Sequence, residues 1–162
     1  MGSVFVAAIG VIGTLAGGLL VAFLQRNMER WKVEESKQAD RRSRFLAAAE
    51  RLAADIGEYR RAELNRSYQF LLDGHDPNRR SELEPKEVAA AVRKLRTGAW
   101  NSLNALRLVT PDQDLLEQAD ILISQAMDLK NAETTTDLEA RADSITAGIK
   151  DLIDNCRQSV WQ

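Results

Sequence analysis

Residues 4–24 are apolar or small throughout and carry no charge: Val-Phe-Val-Ala-Ala-Ile-Gly-Val-Ile-Gly-Thr-Leu-Ala-Gly-Gly-Leu-Leu-Val-Ala-Phe-Leu. As a helix this run covers roughly 30 Å, the thickness of a bilayer's hydrocarbon core. The pattern then inverts. Between Glu34 and Arg44 the only apolar residue is Ala39, and the residue types are good helix formers, so the sequence predicts a polar helical stalk continuing the apolar segment. It has no seam of large apolar side chains for a tight coiled coil.

From Phe45 apolar positions return at helical spacing: Phe45, Leu46, Ala49, Leu52, Ala53, Ile56, Leu64, Tyr68 and Leu71. Asp73-Gly74-His75-Asp76-Pro77-Asn78 ends this helix as a loop that runs on to Ser81. Pro85 opens the next helix, with Val88, Val92, Leu95, Ala99, Leu103 and Leu106 on its inner face. Thr110-Pro111-Asp112-Gln113 reads as a capping box one or two residues later. Leu115, Leu116, Ala119, Leu122, Ile123, Ala126 and Leu129 follow. Thr134-Thr135-Thr136 caps a last helix whose inner face is Leu138, Ala142, Ile145, Ile149, Leu152, Ile153 and Cys156. The expected fold is all-α: an N-terminal transmembrane helix (1–25), a long stalk helix (26–44), and an antiparallel cytoplasmic helical bundle (45–162).

A cleaved signal peptide would need a basic leader and a small-residue cleavage site. Met1-Gly2-Ser3 is not basic, and the run ends Leu24-Gln25-Arg26. A soluble core helix of this length would carry a polar face. Arg26, Arg30 and Lys32, with Trp31 as an aromatic-belt residue, mark the membrane interface and place the following domain in the cytoplasm, with the N-terminus outside. Val6 stands where a myristoylation motif needs Ser or Thr. Gly10, Gly13 and Gly17 share one face of the span, and Gly13 and Gly17 form a GxxxG pair. Helices in lipid associate through close packing of such small residues, so a homo-oligomer is expected.

The chain has 162 residues and a net charge of −2, laid out unevenly. Through Arg107 there are 18 basic and 13 acidic residues, and beyond it 4 basic and 11 acidic. The basic half suits anionic membrane lipid, while the acidic half either folds against it or faces a basic protein partner. One cysteine (Cys156) and one histidine (His75) are too few for a metal cluster, and no phosphate-binding glycine loop or nucleophile elbow occurs. No cofactor and no catalytic residue is expected, and the chain is read as no enzyme. In the cluster Glu58–Arg66, Arg60 or Glu63 falls near the apolar face, where an Arg–Glu contact would fix bundle register. Arg93, Lys94 and Arg96, with Trp100 one turn on, are the candidate partner or nucleic-acid face. Nucleic acid is the weaker expectation, because the domain as a whole is not basic.

The small-residue span with Gly13-Thr14-Leu15-Ala16-Gly17, then Gln25, a charged stalk, and Glu58-Tyr59-Arg60-Arg61-Ala62 followed by Arg66 resembles the small actinomycete membrane proteins called KilB-like. The resemblance covers about the first 70 residues. It implies a non-enzymatic membrane accessory protein in the spread of conjugative plasmids or another mobile-element function. The leading expectation is therefore a self-associating single-pass inner-membrane scaffold or docking module. A membrane-permeabilising toxin or holin-like pore is the second reading, and a membrane tether for nucleic acid the third.

Overall fold

The computed structural model describes residues 2–74 and 85–159, with the backbone alone for residues 2–24, Asn27, Glu29 and Arg30. All the described secondary structure is helical. Helix α1 is Gly2–Leu72, α2 is Lys86–Arg107, α3 is Gln113–Asp128, and α4 is Thr135–Ser159. A 3₁₀ turn, Leu129–Asn131, links α3 to α4. By compactness the chain divides into Met1–Arg41 and Arg42–Gln162, a few residues before the stalk–bundle boundary expected at Arg44.

In the first unit the backbone is helical from Gly2, and the described side chains from Gln25 to Arg41 are exposed. Arg26 and Lys32 are among them, Trp31 is 75% exposed, and Met28 is 59% exposed. Among the described residues no helix is long and apolar enough to cross a membrane. The side chains of 4–24, on which the expected span rests, lie outside the described residues, as do those of Gly10, Gly13, Gly17 and Arg30.

The second unit is a helical bundle built by contacts of opposite chain sense. Ser102 Oγ of α2 donates to Asp55 Oδ2 of α1. Arg107 Nη2 of α2 lies 3.6 Å from Asp120 Oδ1 of α3, and Arg96 Nη1 lies 4.0 Å from Met127 Sδ. Asn155 Nδ2 of α4 donates to Gln118 Oε1 of α3 at 3.0 Å, while Arg141 Nη1 reaches Asp128 O at 3.5 Å. In the α2–α3 and α3–α4 pairs residue numbers rise on one helix as they fall on the other, which is the antiparallel arrangement that short connections favour.

The core follows from periodicity, with one shift. Phe45, Ala49, Leu52 and Ile56 are buried as expected, and the buried stripe of α1 then continues through Tyr59, Glu63, Ser67 and Phe70. Leu64, Tyr68 and Leu71, expected inside, are only half-buried. From Phe45 to Glu63 the intervals alternate four and three, the period that keeps one seam against neighbouring helices. A hydropathy reading misses it because Glu63 and Ser67 are polar. On α2, Val88 is 42% exposed, whereas Val92, Ala99, Leu103 and Leu106 are buried. All seven expected residues of α3 and its turn are buried. On α4, Leu138, Ala142, Ile145, Leu152 and Cys156 are buried, with Ile149 and Ile153 half-buried.

The ends are set by local chemistry. Asp73 N bonds Gln69 O at 3.0 Å, Gly74 N bonds Leu71 O at 3.1 Å, and Gly74 takes φ +68°. That left-handed conformation after a helix is disfavoured for other L-residues. The α2–α3 connection is Leu108–Asp112, longer than the one or two residues expected. Its helix cap is Asp112, whose Oδ1 accepts from Leu115 N at 3.2 Å. Thr110, expected as the cap, instead accepts from Asp112 N at 3.2 Å. Thr134 Oγ1 accepts from Asp137 N at 3.1 Å and caps α4.

Candidate functional site: a basic cleft in the bundle

The expected basic face on α2 is half a site. Helical spacing brings Arg93 and Arg96 to one side, where they line a cleft of about 330 Å³. Lys94 is exposed but does not line it, and Trp100 is half-buried against the core. Three elements complete the cleft. Helix α1 contributes Tyr59, Glu63 and Arg66, α3 contributes Met127, and the 3₁₀ turn contributes Lys130. Lys86, Ala89 and Val92 come from α2 itself.

Among the described residues cations therefore outnumber carboxylates in this cleft. Glu63 is 1% exposed and pairs with Arg66, whose Nη1 lies 3.1 Å from Oε2 and 3.3 Å from Oε1. An ion pair this deep is weak evidence for stability, but the loss of one partner leaves the other charge buried. Arg60, the other residue expected to set register, does not meet Glu63. Its Nη1 donates to Ala142 O at 2.8 Å and to Thr146 Oγ1, tying α1 to α4. The two halves of the expected Arg–Glu contact thus serve different neighbours.

Tyr59 is 2% exposed and lines the same cleft. Burial pushes its hydroxyl up to about 12, with the charge of Glu63 adding to the shift and Arg96 and Arg66 opposing it. The phenol stays neutral and a donor across physiological pH. The sequence pointed to Arg93 and Arg96. Tyr59, Arg66, Lys86 and Lys130 join them only through the fold.

A second concavity lies between α3 and α4, lined by Asp114, Glu117, Ile121, Leu122, Gly148 and Asp151 among others. The charge asymmetry of the sequence thus becomes two surfaces, one cationic and one acidic. Arg107–Asp120 crosses between the basic and acidic halves, while Arg51–Asp55, Arg141–Asp137 and Arg157–Asp154 are local pairs within a helix. Among the described residues no group of three or more His, Cys, Asp or Glu could hold a metal ion. Cys156 is buried, and burial, with Asp112 adding to it, raises its thiol to about 11.

The profile of the KilB plasmid transfer protein family matches residues 46–160. The chain belongs to this family. The match covers the bundle and its basic cleft. The membrane-side motifs of the resemblance, Gly13–Gly17 and Gln25, fall outside it. Comparison with curated proteins finds no match, and comparison with solved structures finds none.

Proposed function

We propose that this chain is a non-enzymatic, single-pass inner-membrane protein that self-associates and presents its helical bundle in the cytoplasm as a docking module for plasmid transfer. The observation that carries the reading is a conjunction. A charge-free run of 21 residues, 4–24, precedes a bundle that the KilB plasmid transfer family matches over 46–160. The run has the length and composition of a membrane helix. Arg26, Arg30 and Lys32 follow it closely and favour retention of that side in the cytoplasm. Arg26 and Lys32, with Trp31, are exposed and free to meet lipid headgroups.

Self-association rests on Gly10, Gly13 and Gly17, which lie within the helical backbone of α1 at spacings of three and four. Small residues on one face permit close approach of two helices, which supplies the attraction that lipid does not. The non-catalytic reading rests on side-chain chemistry. The lone thiol is buried with a raised pKa, which disfavours the reactive thiolate.

Subunit counting in native-like lipid discs tests the proposal. The full chain should give more than one copy per disc, and Gly13→Leu with Gly17→Leu should give single copies. A wild-type monomer, or an oligomer unchanged by both substitutions, would remove the small-residue face from the account.

A further inference from the structure

Two features of the basic cleft are not accounted for by ion pairing or strong hydrogen bonding within the bundle. One is the Tyr59 hydroxyl: it is buried, it lines the cleft, and among the described residues no group accepts its hydrogen. A buried hydroxyl without an acceptor costs free energy that a packed phenylalanine would not. The other is the set Lys86, Arg93 and Arg96. Among the described residues none of them has a carboxylate within ion-pair distance. Arg93 Nε donates to Ala89 O at 3.2 Å, which leaves its terminal nitrogens for another acceptor. Among the described residues Arg96 reaches only the Met127 sulfur, a weak acceptor.

We propose that this cleft is a binding site for a phosphoryl dianion, held by the Tyr59 hydroxyl together with Lys86, Arg93 and Arg96. The donor set decides the ligand class. Two guanidinium groups, an ammonium and a phenol offer more hydrogen bonds than the two oxygens of a carboxylate can accept, whereas a phosphoryl group presents three oxygens and a double charge. The Glu63–Arg66 pair stands beside the phenol, where the field of Glu63 disfavours the phenolate and so preserves the donor. Ala89, Val92 and Met127 give the cleft an apolar wall, and about 330 Å³ holds a phosphate with part of an attached nucleoside. The two sources of such a group are free phosphate and a nucleotide. They share the phosphoryl contacts and differ in whether the apolar wall is used.

Calorimetric titration of the full chain in detergent tests this with two probes, inorganic phosphate and adenosine 5′-monophosphate. One saturable site per chain is expected, competed by sulfate and not by acetate. Equal affinity for the probes would identify the phosphoryl group alone as the ligand, and tighter binding of the nucleotide would add the nucleoside. Tyr59→Phe and Arg96→Gln should each weaken binding by about tenfold, the scale of one charge-assisted hydrogen bond. Lys86→Gln, at the exposed start of α2, gives the same test without touching a buried residue. Each variant's melting temperature without ligand checks its fold. The proposal is overturned by no saturable binding of either probe, or by affinities unchanged in Arg96→Gln and Lys86→Gln. It is equally overturned by binding of an oligonucleotide without terminal phosphate that inorganic phosphate does not displace.

Discussion

A methyl group added at Gly148 tests how closely α3 and α4 approach. A β-carbon there would lie 2.5 Å from Leu122 Cδ2, with Cγ at 3.7 Å and Cδ1 at 3.9 Å. Ordinary carbon contacts are about 3.5–4.0 Å, so Leu122 must move or the helices must part. Leu122 is 3% exposed, but it and Gly148 border the α3–α4 concavity, so rotation of its free end sets the low end of the cost. Two effects then oppose each other in Gly148→Ala. Alanine in a helix interior gains about 1 kcal/mol over glycine, and overpacking a well-filled contact costs about 1–3 kcal/mol. The expected net is a loss of up to about 2 kcal/mol. Leu122→Ala alone should cost about 2–4 kcal/mol through its cavity. With Leu122 already truncated the clash is gone, and Gly148→Ala should then stabilise by about 1 kcal/mol. Urea unfolding of the four chains of this double-mutant cycle measures a coupling of about 1–3 kcal/mol. A Gly148→Ala change that stabilises equally in both backgrounds would refute the close approach.

Further outcomes follow from the caps, the α1–α4 tie and the two buried titrating groups. Asp112→Ala should cost about 1 kcal/mol in urea unfolding, because it orphans Leu115 N, while Thr110→Ala should cost less. Arg60→Met keeps the aliphatic stem but removes the bonds to Ala142 and Thr146, and should cost about 1–2 kcal/mol by the same assay. Alkali should destabilise the bundle. Tyr59 is raised from 10.0 to about 12 and Cys156 from 9.0 to about 11, so the unfolded chain releases these protons first. The contribution of these two groups is level below pH 9 and falls above it, with the thiol part lost by about pH 11 and the phenol part between 10 and 12. Each group removes at most about 1.4 kcal/mol per pH unit within its window. Stability curves for Tyr59→Phe should show a smaller decline between pH 10 and 12, and an unchanged decline would place the phenol outside the apolar interior.

Much of the bundle could be read from periodicity, because its buried positions on α3 and α4 are aliphatics, alanines and one cysteine, mostly at helical spacing. The reading failed where burial falls on polar residues. Glu63 and Ser67 hold the inner seam of α1 in place of Leu64 and Tyr68, and hydropathy assigns the opposite. It also failed at Thr110–Gln113, where two candidate caps compete and Pro111 between them fits either start. The cleft was partly visible. Arg93 and Arg96 share a helix face that spacing alone reveals. The residues that make them a site come from elements up to 37 positions away, and only tertiary contact joins Tyr59 to Arg96. The family resemblance was legible too, though its weight lies in the bundle and not in the membrane-side motifs.

Membrane retention after an alkaline carbonate wash tests the central claim most directly. The full chain should stay in the pelleted membranes after peripheral proteins are stripped, while Leu15→Arg with Leu19→Arg, two charges within the run of residues 4–24, should release it with an intact bundle. Recovery of the full chain in the washed supernatant, or retention indifferent to both charges, would contradict a spanning anchor.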